Sequence, residues 1–215
     1  MKTDTASAPV GKRATGKQER RAAIVAAARQ SFLENGYAAT SMSGLLATLG
    51  GSKATLWSYF RSKEELFAAV IEELTQAFSE KLESELLSSG DDITATIVMF
   101  CRRLMDRIVS ADGLATWRLV VSESGRFPEI GQIFYERGPH RIARLLVSYL
   151  DRYVVEGQLE IRSTAELAEL LIDLCMAQQT KLLLGVGRFD KEIFVEKHAL
   201  YFVDLFLVKR SGQVI

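Results

Sequence analysis

The sequence is short of the residues that metal sites and catalytic centres cluster. Among its 215 residues are two cysteines and two histidines. Cys101 and Cys175 lie in apolar helical patterns with no C-x-x-C and no Cys/His ligand spacing, which excludes a zinc module or a disulfide scaffold. They read as core packing in a reducing compartment. A redox-sensor role stays open beside that reading, because it needs an exposed thiol of lowered pKa that spacing does not reveal. There is no H-E-x-x-H, no P-loop and no dinucleotide-binding G-x-G-x-x-G, and "ESG" at 123–125 is not a nucleophile elbow. With only His140 and His198 to move protons, acid–base catalysis would need a buried carboxylate that the pattern does not identify. No enzyme chemistry, cofactor or metal is therefore implied. The chain also has no run of 18 apolar residues, and "MKTDTASAPVGKRATGKQER" at its start lacks the apolar core of a signal peptide. A soluble, cytoplasmic protein with no membrane partner is expected. No segment alternates as a strand does, and no repeat of solenoid length occurs, so the expected fold is all-α, with about nine or ten helices.

Apolar residues make up 48% of the chain, enough to bury a core. The charges balance at 27 basic and 27 acidic residues but are unevenly placed. Residues 1–63 hold 10 Lys or Arg against 3 acids, leaving 17 basic and 24 acidic residues beyond, so +7 faces −7. A basic head on an acidic body is the asymmetry of a chain whose one end meets a polyanion. A disordered basic tail would give the same count, but Lys53, Arg61 and Lys63 lie inside the patterned region.

Residues 1–16 carry no period and read as a disordered basic tail. From Arg20 the apolar residues Ile24, Ala28 and Phe32 recur at four-residue steps, and Gly36 in "ENGY" stops the helix. Thr40 or Ser41 caps a short helix "SMSGLLATL", Gly50 and Gly51 break it, and Ser52 caps a third. Two short helices around a glycine turn, behind a longer one, make a helix-turn-helix over 17–63. Ser62 with Glu65 forms a capping box. Beyond it, residues 64–215 form a second, larger helical domain. It opens on a long helix (Phe67, Val70, Ile71, Leu74, Phe78, Leu82, Leu86), has helix starts at Pro128, Pro139 and Ser163, and ends on a helix over about 191–209.

The residues Ile24, Ala27, Ala28, Phe32, "NGY" 35–37, Thr40, Ser41, Gly50, Ser52, Thr55, Leu56, Phe60 and "SKEEL" 62–66 resemble the DNA-binding domain of the TetR/AcrR family of bacterial transcriptional regulators. "RLVVSESGRFPEIGQIFYERGP" is similar to the effector domain of an AefR-like branch. The chain departs from the family pattern at Leu45 and Leu46, at Leu49–Gly50–Gly51 in the turn and at Trp57 in the second helix. The missing side chain at Gly51 calls for compensation by the larger Leu46 and Leu49.

In a helix-turn-helix the second helix enters the major groove and its early residues face base edges. Lys53 suits guanine or a phosphate, Ala54 a thymine methyl and Thr55 either base or backbone, with Trp57 and Ser58 one turn on. The resemblance implies that Tyr59 spends its hydroxyl on a phosphate. Lys63, Thr40, Ser41 and Ser52 stand at helix N-termini that favour phosphate, and Lys12, Arg13, Lys17, Arg20 and Arg21 form an arm that reaches a minor groove or neighbouring phosphates. Core aromatics at 57 and 59 and a solvated Lys63 are the bland alternative; the charge split favours duplex DNA.

For the body, the resemblance implies a homodimer through the last two long helices, about 164–184 and 191–209. It also implies a pocket for an unknown, partly apolar small-molecule effector. Its candidate lining is Phe100, Cys101, Leu104, Trp117, Val121, Phe134 and Tyr135, with Glu123 and His140 as polar handles. Any of these also serves as plain core. The function implied is a homodimeric, ligand-responsive repressor of a pseudo-palindromic operator. A DNA-binding regulator without a small-molecule response, and an enzyme using the helical pocket, are the alternatives.

Overall fold

The computed structural model describes residues 10–50, 52–157, 159, 161–186 and 190–206, without the side chains of 10–14 and 206. No strand occurs among these residues. The chain divides into two compact units, Met1–Val70 and Ile71–Ile215.

The first unit contains α1 (Val10–Asn35), α2 (Met42–Leu49), α3 (Lys53–Tyr59) and the start of α4 (Lys63–Leu87). Its core is Ile24, Val25, Ala28 and Phe32 of α1, Tyr37, Met42 and Leu45, Leu56 and Phe60, and Leu66, Phe67 and Val70 of α4. Phe32 stacks on Tyr37 at 5.5 Å, and both meet Phe67 edge-on at 5.4 Å. Each such pair contributes roughly 0.5–1.5 kcal/mol beyond burial. This triangle also explains why the unit ends at Val70 rather than at residue 63, where the sequence places the domain boundary.

The helix starts are set locally. Ser41 Oγ accepts from the Gly44 N–H at 3.0 Å, Ser52 Oγ from Thr55 at 3.2 Å and Ser62 Oγ from Glu65 at 3.1 Å. The Glu65 carboxylate accepts from the Arg61 N–H at 2.7 Å, one residue before the partner a regular capping box uses. One expectation needs correction. α1 begins at Val10, so residues 10–16 are helical rather than disordered, while residues 1–9 lie outside the described residues. An apolar period does not register these turns because residues 15–19 are exposed; the helix continues through Lys17, Gln18 and Glu19 despite Gly11 and Gly16. Leu46 and Leu49 are half-buried, and Met42 and Leu45 supply the fully buried face of α2. Gly51 lies outside the described residues.

The second unit continues α4 and adds α5 (Ile93–Ile108), α6 (Ala111–Glu123), α7 (Pro128–Arg137), α8 (Pro139–Val155) and α9 (Thr164–Leu183). α10 (Lys191–Phe194), a π-helical turn (Val195–Ala199) and α11 (Leu200–Phe206) then follow without a break. The inward stripes of α5 (Ile97, Phe100, Leu104), α8 (Leu146, Leu150), α9 (Leu167, Leu171, Cys175) and the last run (Val195, Phe202, Val203) form one core with Leu82 and Leu86. Pro128 and Pro139 each occupy the first turn of their helix, where a missing N–H costs nothing. Ion pairs reinforce the packing: Glu85 with Arg103 at 2.8 Å, Lys191 with Asp106 at 2.5 Å, and Arg102 with Glu192.

Candidate nucleic-acid interface and ligand cavity

In the first unit, α2 stops because Gly50 adopts φ 63°, a left-handed conformation that L side chains avoid, while its N–H reaches the Leu46 carbonyl. Arg20 completes the turn, its guanidinium donating to the carbonyls of Leu49 (3.3 Å) and Gly50. A cation there meets the negative end of the α2 dipole. α3 then turns Leu56 and Phe60 fully inward and leaves Lys53, Ala54, Trp57 and Ser58 exposed, with Thr55 and Tyr59 half-buried. Trp57, at 41% exposure, is an aromatic that the core does not use. Ser58 Oγ donates to the Thr55 carbonyl at 2.7 Å, and Thr55 Oγ1 lies 2.8 Å from Ser52 Oγ. The hydroxyls near the start of α3 are thus tied to the helix they decorate.

The remaining candidates in this unit separate into two groups. Ser41 is exposed and caps α2. Thr40 is 3% exposed and donates to the Gly36 carbonyl at 2.9 Å, with Ser31 Oγ also 2.9 Å away, so its hydroxyl is spent inside the unit. Lys63 lies with Nζ 4.1 Å above the Tyr37 ring and 3.5 Å from the Ala38 carbonyl. Arg21 covers the Phe60 ring at 5.1 Å. Of the expected basic arm, Arg20 and Arg21 are therefore engaged in holding the turn and α3. Lys17 is exposed, and the side chains of Lys12 and Arg13 lie outside the described residues. The structural part of Arg20 escaped the sequence reading because its partners are backbone carbonyls far along the chain.

The second unit contains an apolar cavity of about 60 Å³ where the second half of α4 meets α5 to α9. Its wall includes Leu74, Thr75 and Phe78 of α4, Leu104 and Arg107 of α5, Gly113 and Thr116 of α6, Phe134, Ile142, and Met176 and Gln179 of α9. Of the nine expected pocket residues, Leu104 and Phe134 are here. Phe100 and Cys101 are instead deep in the core, and Trp117 packs on Phe134 at 5.8 Å. Val121 and Tyr135 are more than half exposed, His140 stacks on Tyr135 at the surface, and Glu123 is half-buried outside the cavity wall. An aromatic-rich stretch marks α6 and α7, but only one face of each helix turns inward.

The polar residues of the wall were the ones missed. Gln179 is 3% exposed; its Nε2 donates to the Ile108 carbonyl at 2.9 Å, and among the described residues nothing donates to its Oε1. A buried acceptor left in that state costs about 1–3 kcal/mol. A signal existed: Gln179 continues the buried four-step row Leu171, Cys175, where an amide is out of place. Arg107 donates to the Leu74 carbonyl at 3.0 Å. Cys101 lies against Cys175, and this contact with burial pushes the Cys175 thiol well above its ordinary range, the opposite of a reactive thiolate. Among the described residues no group of three or more His, Cys, Asp or Glu is placed to hold a metal, and no helix is long and apolar enough to cross a membrane.

A helix-turn-helix head joined to a helical body with its own cavity defines a helical transcriptional regulator. Residues 24–70 match the family model of bacterial regulatory proteins of the tetR family, and residues 95–209 that of the AefR-like transcriptional repressor, C-terminal domain. The chain belongs to the TetR family, with a C-terminal domain of the AefR-like kind, a family of regulators rather than enzymes. It is similar to the HTH-type transcriptional repressor ComR of Escherichia coli K12, 26% identical over 133 residues. That match spans 62% of this chain and 63% of ComR's length. The flavonoid-responsive regulator FrrA superposes with a TM-score of 0.74 at 29% identity, over 89% of this chain and 99% of FrrA. FadR from Bacillus subtilis, solved in complex with stearoyl-CoA, shares the fold at a TM-score of 0.68 and 16% identity, over 85% and 97% of the two chains.

Proposed function

We propose that the protein is a homodimeric repressor that binds a pseudo-palindromic DNA operator through α3 and leaves it when a small molecule occupies the body. The observation that carries the reading is the face of α3: Lys53, Ala54, Trp57 and Ser58 exposed together, over a Leu56 and Phe60 that anchor the helix. Such a face fits the major groove, with Lys53 and Ala54 at base edges and Thr55, Tyr59, Ser41 and Ser52 toward phosphates. Lys63 adds charge near the start of α4 while resting on Tyr37.

Repression is supported by the likeness to ComR, and a ligand response by the likeness to FrrA. A dimer is supported by apolar residues left exposed on the last two helical stretches: Leu170 of α9, and Ile193, Leu200, Tyr201 and Leu205 beyond it. A two-fold pair would set two α3 helices against half-sites about one DNA turn apart. α4 carries residues of both the head core and the cavity wall, so an occupant touching Leu74 or Phe78 has a continuous helix through which to bias the head. The shift is limited by the occupant's differential affinity for the two states. The test is a footprint on fragments of the source genome at two salt concentrations. A protected, nearly palindromic site that weakens steeply with salt supports the reading; no protection at any fragment sinks it.

A further inference from the structure

The geometry points to an uncharged, mainly apolar effector that carries a hydroxyl or N–H donor, placed against Gln179 Oε1. This rests on the reading of the body as an effector-binding domain and names the chemistry it would recognise. The orientation of the Gln179 amide is fixed by its neighbour. Ile108 ends α5, so its carbonyl has no helical N–H of its own, and Gln179 Nε2 supplies one at 2.9 Å. Turning the amide over would set Oε1 against that carbonyl, acceptor against acceptor. Oε1 therefore faces away from Ile108, buried, with no donor among the described residues.

The other polar groups of the wall sharpen the requirement. Thr75 Oγ1 donates to the Ile71 carbonyl at 2.9 Å and Thr116 Oγ1 to the Asp112 carbonyl at 2.7 Å, so both hydroxyl hydrogens are committed to backbone. Their remaining capacity is to accept. Arg107, the one charged side chain among the described residues of the wall, donates to the Leu74 carbonyl and to Ser110 Oγ. A cationic ligand would meet the like charge of Arg107, and a carboxylate, though Arg107 would attract it, has no hydrogen to give Oε1. A neutral donor satisfies Oε1 at no such cost. The apolar remainder of the molecule packs on Leu74, Phe78 and Met176, the last of these a side chain that adapts its shape readily.

The test compares four six-carbon molecules on the full-length protein: 1-hexanol, its isomer methyl pentyl ether, hexanoate and hexylammonium. Binding is measured by titration and by the rise in melting temperature, which follows from mass action. The expected result is that 1-hexanol binds at least about tenfold more tightly than the ether and more tightly than either ion. In Gln179→Met the alcohol falls to the level of the ether, while the ether keeps its wild-type affinity. Equal binding of the two isomers, preference for either ion, or binding of none of the four overturns the proposal, and these arms need only the wild-type protein. Operator affinity is followed separately in the same samples. If the alcohol binds with the predicted preference but leaves the operator complex intact, the ligand class stands and ligand-driven release fails.

Discussion

Lys53 and Lys63 each begin a helix of the head, yet their surroundings assign them different work. Lys53 is exposed at the start of α3, whereas Lys63 rests its ammonium on the Tyr37 ring. Lys53→Ala should cost about 1–3 kcal/mol at the preferred operator and less at altered ones, relaxing sequence choice in a binding series across base substitutions. Lys63→Ala should weaken all sequences alike and lower the melting temperature of the head, since a cation over an aromatic contributes about 0.5–1 kcal/mol at an exposed site. Equal sequence dependence of the two variants would refute the division. Gly113 is a second position where one atom decides. A Cβ there would lie 2.3 Å from the Arg107 carbonyl and 2.8 Å from that of Ile108, so α6 can approach the end of α5 this closely only with glycine. Gly113→Ala should cost about 1–3 kcal/mol by overpacking, read as a melting temperature lower by several degrees. An unchanged value would mean that the two helices move apart freely.

Among the elements, α4 is tied to the end of α7 and the start of α8 by one carboxylate. Glu72 accepts from Arg137 at 3.1 Å and from Arg141 at 2.6 Å. Burial raises its pKa, but the hydrogen bonds from the two guanidinium groups outweigh that and hold it below the ordinary 4.5. A carboxyl lowered by folding adds stability above its unfolded pKa and loses it as pH falls through the folded value. Glu72→Gln should therefore be less stable than wild type at pH 7, by under about 1 kcal/mol because the site is partly solvated. That difference should vanish in melting curves taken well below pH 4.5. A difference constant across the whole range would assign the effect to packing.

The same scale shows what was legible beforehand. Helix starts were, because Ser41, Ser52, Ser62 and Ser163 act on N–H groups within their own next turn. The cavity wall was not: apolar spacing says which face of α5 or α6 is buried, but a void depends on how six helices converge. Hence Phe100 and Cys101 fell in the core beside it, and Tyr135 and His140 on the outside. The engagement of Arg20 and Lys63 was hidden for a related reason, their partners being a turn and a ring brought near only by folding.

At the scale of the whole molecule the balance of charge matters more than its total. The chain is neutral overall, yet residues 1–63 carry +7 and the remainder −7. If the basic end meets DNA, affinity is driven largely by release of counterions, and log K falls with log salt at about −0.9 per phosphate neutralised. Not every basic residue of the head counts toward that slope. Arg20 is half-buried and bound to the turn carbonyls, whereas Lys17, Lys53 and Arg61 are exposed, as is Arg21 where it lies over Phe60. Replacing Lys17 or Arg61 by Met should flatten the slope by about one unit per contact in each DNA-bound chain while leaving sequence preference intact. Arg20→Met should act differently, lowering the stability of the turn and the fraction of protein able to bind. Its slope, measured on the folded fraction, should stay near the wild-type value. The comparison is a set of binding isotherms on one operator between about 50 and 200 mM salt. A slope lost equally in all three variants would show that Arg20 leaves the turn to meet phosphate, making the head adjust its own structure when it binds.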